Sequence, residues 1–452
     1  MDTPRIGSVE ELATHIVDRS ARGISTSIGR LIRTGALPVG ARLPTVRELA
    51  STLGTSPTTV SEAWQALART GTIDARGRNG TYVRDTSRPR GSFRYRSVTM
   101  RPSLFVLDLS TGVPDPDLLP DPRRALERVS RRNITTSYLD QPVVPALEDH
   151  LRRLWPFEPE AMTVVDGAMD AIDRILSSIA KLGDIVVVED PGFPPILDLL
   201  EELGVTALGV RGDDAGLDLA SLKEALDRKP VAIILQPRAQ NPTGVSMLSE
   251  RAKEIAQLLE STDTVVIEDD HSGDIAWGPA VSLGVHLPER CVHIRSFSKS
   301  HGPDLRLAAV GGSGAIIDQV VERRLLGPGW SSRLLQAVLL EMLRDPATVE
   351  TVGAARVIYR ERRTVMAGLL HDHGIATSGT DGINLWVSVA DEKDALLNLA
   401  MHGIGAAPGT PFLVNPAVDH IRLTVGLISE NADSVASAIV DSVHGYQRPF
   451  SR

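Results

Sequence analysis

Up to about residue 84 the apolar positions recur at helical spacing. Val46, Leu49, Ala50 and Leu53 fall at i, i+3, i+4 and i+7, one apolar face of a short helix. Thr45 with Glu48 predicts a capping box at its start, each side chain taking up a backbone N–H that the first turn leaves unpaired. Gly54 can supply the left-handed residue that ends it. Ser56 then suits an N-cap, and Pro57 suits the first helical position, where a missing N–H costs nothing. Val60, Ala63, Trp64 and Leu67 form a second apolar stripe, which turns Thr58, Thr59 and Ser61 outward near the helix start. Two short helices about a tight turn, the second presenting small polar side chains, predict a helix-turn-helix. Ile73-Asp74-Ala75-Arg76, Gly77-Arg78-Asn79-Gly80 and Thr81-Tyr82-Val83 read as two strands about a turn, a wing carrying Arg76 and Arg78.

From about residue 105 the pattern changes. Ile185–Val188, Val231–Leu235 and Thr264–Ile267 are short, continuous and β-branched, and they alternate with helical stretches. Such runs predict strands buried on both faces of a parallel α/β sheet. Ligand sites in these sheets form just past the strand C-termini. Those places hold Glu189-Asp190-Pro191-Gly192-Phe193, Gln236 through Gly244, and Glu268-Asp269-Asp270-His271. A fourth segment, His293-Ile294-Arg295-Ser296-Phe297-Ser298-Lys299, ends in a lysine.

Charge divides at the same place. Residues 1–101 hold 16 Arg, no Lys and 8 acidic residues, whereas the remainder holds 32 basic and 49 acidic ones. An Arg-rich small domain on an acidic large one suits a polyanion at one end and a small ligand at the other. At 452 residues two or more domains are expected, here 1–84 and 105–448, with 85–104 as a linker. The lone Cys291 excludes intrachain disulfides and cysteine metal clusters. No apolar run is long enough to cross a bilayer, and Met1-Asp2-Thr3-Pro4-Arg5 lacks a signal-peptide core, so a reducing cytoplasm is the expected compartment.

Only six lysines occur, at 181, 223, 229, 253, 299 and 393. Arginine cannot lose a proton to become an amine nucleophile, so imine chemistry must fall to one of these. Lys299 alone follows a strand, between serines and ahead of Arg306; an amine desolvated there suits a Schiff base with an aldehyde cofactor.

Residues 20–84, with Gly-Ala-Leu-Pro-Val-Gly-Ala-Arg-Leu-Pro-Thr-Val-Arg-Glu-Leu-Ala at 35–50, resemble the winged helix-turn-helix of the GntR family of bacterial regulators. The resemblance implies that Arg47 reaches double-stranded DNA from the first helix. It also implies that Ser56, Thr58, Thr59 and Ser61 face the groove and that Gly80 marks the wing tip. Pro57 and Ser61 stand where several relatives carry arginine, so base readout is expected to lean on hydroxyls and DNA shape.

Residues 105–448 resemble the fold-type I pyridoxal phosphate enzymes, specifically the class I/II aminotransferases with their large and small domains. The resemblance implies Asn241 of Asn241-Pro242-Thr243-Gly244 on the cofactor's phenolic oxygen, Asp269 beneath its pyridine nitrogen, and Lys299 joined to its aldehyde. Arg306, Ser296 and Ser298, with the helix start at Ala168 and Met169, would hold the phosphate. Phe193 would stack on the ring, and Arg422 would clamp a substrate carboxylate. Tyr138 would reach the phosphate of the partner subunit in a homodimer. His271 stands where a tyrosine bonded to the phenolic oxygen is customary, and its imidazole would also bind the cofactor by donating there over a shorter reach; Met169 stands where glutamine is customary, and Val143 where glycine is.

The two halves together resemble the MocR subfamily of GntR-type regulators. That implies a homodimeric, DNA-binding transcriptional regulator in which pyridoxal 5'-phosphate on Lys299, or its imine with an amino-acid effector, gates promoter binding. A working aminotransferase carrying a DNA-binding module is the alternative, and a cofactor-free interaction domain a third. Turnover separates the first two.

Overall fold

A computed structural model describes residues 8–33, 35–69, 73–75, 80–83, 94, 105–131, 137, 140–415 and 418–443, arranged in two compact units. The N-terminal unit opens with α1 (Val9–Thr14) and α2 (Ala21–Arg33), followed by β1 (Arg42–Leu43), α3 (Val46–Leu53) and α4 (Pro57–Arg69). The expected capping box is formed: Thr45 N donates to Glu48 at 2.8 Å and Glu48 N to Thr45 Oγ1 at 3.3 Å. Gly54 closes α3 in the left-handed region, φ 65°. The stripes of α3 and α4 bury Leu49, Leu53, Val60, Ala63 and Leu67 against Ile24 and Ile28 of α2. The strands β2 (Ile73–Ala75) and β3 (Thr81–Val83) pair antiparallel as the wing predicts. The sequence pattern gave no sign of β1, which adds a third strand by pairing Arg42 with Tyr82 and Leu43 with Thr81.

The second unit follows with β4 (Leu107–Asp108), β5 (Ala161–Val165), β6 (Ile185–Asp190), β7 (Thr206–Asp213), β8 (Gly216–Leu217) and β9 (Ala232–Leu235). Then come β10 (Val265–Asp270), β11 (Cys291–Ser296) and β12 (Ala308–Gly312). An eight-stranded sheet runs β5-β12-β11-β10-β9-β6-β7-β8. Its middle strands β6, β9, β10 and β11 are parallel. Val186, Val187, Ile233, Val266, Ile267 and Ile294 are fully buried there, as a sheet covered on both faces requires.

Two expectations need correction. The sheet is mixed, because β12 runs antiparallel to both β11 and β5. Residues 297–307 hold only a 3₁₀ turn at Pro303–Leu305, too little chain for the crossover that a parallel neighbour needs. The carboxylates expected past the strand ends are also still inside the ladder: β6 includes Glu189 and Asp190, and β10 includes Glu268, Asp269 and Asp270.

A smaller sheet packs β13 (Leu385–Ser388), β16 (His420–Leu423) and β15 (Ala407–Pro408) antiparallel, and β14 (Ile404–Gly405) pairs with β4. Leu385, Ile421 and Leu423 bury against Met366 and Leu370 of the long helix Pro346–Asp372 and Ile439 of helix Ala432–Val443. Among the described residues no helix is long and apolar enough to cross a membrane.

Candidate functional site

Strand periodicity organises the site. Along β10, Glu268 and Asp270 point to one face and Asp269 to the other. Glu268 accepts from Ser282 Oγ and Leu283 N at 2.6 Å and from His293 Nδ1 at 2.7 Å. Asp270 meets the Arg238 guanidinium. Burial, the largest single influence, pushes the Asp270 carboxyl upward, but the Arg238 charge and hydrogen bond together with His293 and Arg295 hold the group below its usual range.

Asp269 is different. Its Oδ2 accepts from Gln236 Nε2 at 2.8 Å, while its buried Oδ1 has no hydrogen-bond partner among the described residues. Burial raises this carboxyl to about 6. The other end of the Gln236 amide accepts from Asn241 N at 2.8 Å. One side chain therefore fixes both the carboxylate and the Asn-Pro-Thr-Gly turn. Asn241 Oδ1 faces Asn384 Nδ2 at 3.4 Å and Arg422 Nη1 at 3.5 Å, which leaves the Asn241 amino group as a donor. Arg422, deeply buried opposite Trp386 on the small sheet, donates to the Ser110 carbonyl and lies 5.3 Å from the Phe412 ring centre.

Lys299 lies in the short connection after β11. Its Nζ is 2.5 Å from His271 Nδ1, and burial lowers its amine to about 8, against the opposing pull of Asp269. His271 Nε2 is 3.0 Å from the Ala239 carbonyl.

At the other end Gly167 turns the chain at φ 106° into helix Ala168–Ile179. Arg306 donates to the Asp166 carbonyl at 3.1 Å, so close that a Cβ on Gly167 would lie 2.8 Å from its guanidinium. Helix start, guanidinium and the hydroxyls of Ser296 and Ser298 converge as an anion cup.

Ala168, Met169, Phe193, Asn241, Asp269, His271, Ser296, Ser298, Lys299, Arg306 and Arg422, drawn from positions 168 to 422, all line one cavity of about 210 Å³. Tyr138 lies outside the described residues. The sequence reading missed Gln236 as an individual residue, together with Gly112, Asn384 and Phe412. Gln236 carried a usable signal, being the first residue after a buried strand; the others sit in loops or a 3₁₀ turn without a motif.

In the N-terminal unit Arg47, Ser56 and Thr58 are exposed, whereas Thr59 and Ser61 are half-buried. Ser56 Oγ accepts from Thr59 N at 3.1 Å and lies 2.8 Å from Thr59 Oγ1, so both hydroxyls serve the helix start. Gly80, at φ 98°, leaves room for the Arg42 guanidinium, which a Cβ would meet at 2.9 Å. Arg76 and Arg78 lie outside the described residues.

Residues 105–439 match the family model of aminotransferase class I and II, and residues 21–83 that of bacterial regulatory proteins of the gntR family. The chain is 34% identical over 435 residues to the vitamin B6 salvage pathway transcriptional repressor PtsJ of Salmonella typhimurium, covering 94% of this chain and 98% of that protein. It is 28% identical to the HTH-type pyridoxine biosynthesis transcriptional regulator PdxR of Corynebacterium glutamicum, over 77% of this chain and 78% of that one. Among solved structures it resembles LysN, the α-aminoadipate aminotransferase of Thermus thermophilus, complexed with N-(5'-phosphopyridoxyl)-L-leucine. That match has a TM-score of 0.69 at 22% identity and covers 77% of this chain and 95% of the other. At that identity the likeness concerns the fold alone.

Proposed function

The chain belongs to the MocR-type regulators, a GntR-type winged helix fused to an aminotransferase-like domain, and from that premise we propose that pyridoxal 5'-phosphate on Lys299 controls its binding to promoter DNA. The observation that carries this reading is the buried Oδ1 of Asp269, partnerless among the described residues, in one cavity with Lys299 and the anion cup. A buried acceptor without a donor costs free energy, and a pyridinium N–H is the donor that would satisfy it. The names of PtsJ and PdxR tie those two proteins to vitamin B6, which makes its phosphorylated aldehyde the ligand of first choice here.

The residues present fit that group. Asp269 would keep the pyridine nitrogen protonated, and Asn241 would donate to the phenolic oxygen. Arg306, Ser296, Ser298 and the Ala168–Met169 helix start would hold the phosphate, and Phe193 would cover the ring. When bound, the group supplies an aldehyde for an amine and a ring that draws electrons from it. Arg422 would take the carboxylate of an amino-acid effector through a forked, charge-assisted pair. In the N-terminal unit Arg47, Ser56, Thr58, Thr59 and Ser61 would face DNA, with Gly80, Arg76 and Arg78 on the wing. A homodimer would meet two half-sites, with Tyr138 reaching the partner subunit's phosphate. An effector acts only through a difference in affinity between two arrangements of the protein, transmitted by the 85–104 linker.

Incubation with pyridoxal phosphate, borohydride reduction and peptide mapping test the site. The reading expects one adduct, on Lys299; an adduct elsewhere, or none, overturns it. The presence of Lys299, Asp269 and Arg422 in one cavity also favours a second reading, a working aminotransferase. Many turnovers with an amino donor and keto acceptor would support that reading. A single half-reaction would support the regulator.

A further inference from the structure

Resting on the reading that Lys299 takes the aldehyde, we propose that His271 is the proton partner of that lysine: its Nδ1 accepts a proton from Nζ as the amine becomes a nucleophile and returns it when the amine is released.

The tautomer follows from two contacts. Nε2 lies 3.0 Å from the Ala239 carbonyl, which only accepts, so Nε2 carries the ring hydrogen. Nδ1 then presents a lone pair, and Lys299 Nζ donates to it across 2.5 Å. Ser272 Oγ stands further off, at 3.4 Å.

The carbonyl that fixes the ring is itself held from behind. Ala239 sits in the left-handed region, φ 48°, a conformation that an alanine keeps only where its surroundings over-determine it. Its N–H donates to Ser246 Oγ at 2.9 Å, and Ser246 Oγ donates to Asp381 Oδ2 at 2.8 Å. Asp381 also accepts from Trp277 N and Gly278 N, each at 2.8 Å. Gly382 makes space for the arrangement, since a Cβ there would lie 2.8 Å from that of Ala239.

With its one ring N–H engaged at the Ala239 carbonyl, neutral His271 has no second N–H to offer the cavity. A tyrosine hydroxyl, customary in the family, cannot accept a proton from an ammonium near neutral pH. A neutral imidazole can. The N–H bond at Nζ breaks and one forms at Nδ1, and the electron pair stays on Nζ. The pair carries one positive charge before and after the transfer; burial, and then the Lys299 charge, hold the imidazole well below its ordinary value, so the proton rests on Nζ and passes to Nδ1 only as the amine attacks. The charged groups facing the pair are Asp269, Asp270, Arg238 and Arg422. Burial lowers the affinity of both nitrogens for a proton, which brings the lysine toward its nucleophilic form.

The test follows covalent uptake of pyridoxal phosphate by full-length, cofactor-free protein between pH 6 and 10, with the bond mapped after reduction. H271A should take it up at least roughly tenfold more slowly near pH 7, a loss that added imidazole reverses and that fades toward pH 10. H271Q keeps an acceptor but no titrating base, and should behave like H271A. A second readout needs no cofactor: competitive acetylation of Lys299 should shift its pH profile in both variants. If H271Q matches the unaltered protein, or imidazole leaves H271A unchanged while the adduct still maps to Lys299, the proposal fails and the cofactor reading stands. If the unaltered protein forms no adduct on Lys299, both fall.

Discussion

At the centre of the winged-helix unit the side chains without solvent contact are apolar: Ile24, Ile28, Leu49, Val60, Ala63 and Leu67. At the strand ends of the α/β unit the side chains shut away are Glu268, Asp269, Asp270, Arg295 and Arg422. In the first region the stripe, capping box and left-handed glycine all agree on one structure, and the one buried side-chain polar atom there without a partner among the described residues is Trp64 Nε1. The second breaks local rules, holding a carboxylate oxygen without a donor among the described residues and an alanine at positive φ. The contrast separates a part packed on apolar side chains from a part that buries charge around a cavity.

The largest expected effect breaks the first region alone. Leu49→Ala empties the middle of the small core and should destabilise that unit by about 3 kcal/mol. DNA binding should be lost at 37 °C while the absorbance of added pyridoxal phosphate develops as before; loss of both would mean that the units do not fold independently.

Asp269→Asn sharpens the contrast from the other side. A folded carboxyl that keeps its proton to about 6 binds more protons than an unfolded one, whose value is 3.8. Stability of the cofactor-free protein should therefore fall as pH rises through that window, by about 3 kcal/mol in all. The variant removes that dependence, so it should melt higher than the unaltered protein at pH 7 and bind pyridoxal phosphate much more weakly. Calorimetry between pH 4 and 7 checks the sign; a lower melting temperature at pH 7 would contradict it.

Thr45→Ala gives the smallest change, about 1 kcal/mol, because it removes one of the two capping bonds at α3. Chemical denaturation of the winged-helix unit reads it, with cofactor uptake unaffected.

Legibility followed the same division. Thr45, Glu48 and Gly54 act within a few residues of one another, so their geometry could be read directly from the chain. Lys299, Asp269, Asn241, Arg306 and Arg422 could be placed because each lies in a recognisable motif. The partners that hold them could not. Asp381 reaches Ser246 across 135 positions and Arg363 reaches the Thr243 carbonyl across 120, and no periodicity links such residues. The antiparallel β12, Ala-Ala-Val-Gly-Gly, carries no directional signal; its orientation comes from the shortness of the connection before it. Gln236 shows the limit most clearly, since its role exists only once β9, β10 and the turn at Asn241 are neighbours.

The claim that joins the two regions is that chemistry at one lysine changes the affinity of the other region for DNA. Fluorescence anisotropy on a fragment of the protein's own promoter, at fixed stated salt, measures this directly when pyridoxal phosphate and then a panel of amino acids are added. The account predicts a shift in Kd for the unaltered protein and none for Lys299→Ala, with the ligand-free affinities of the two alike. An equal shift in both proteins would contradict it.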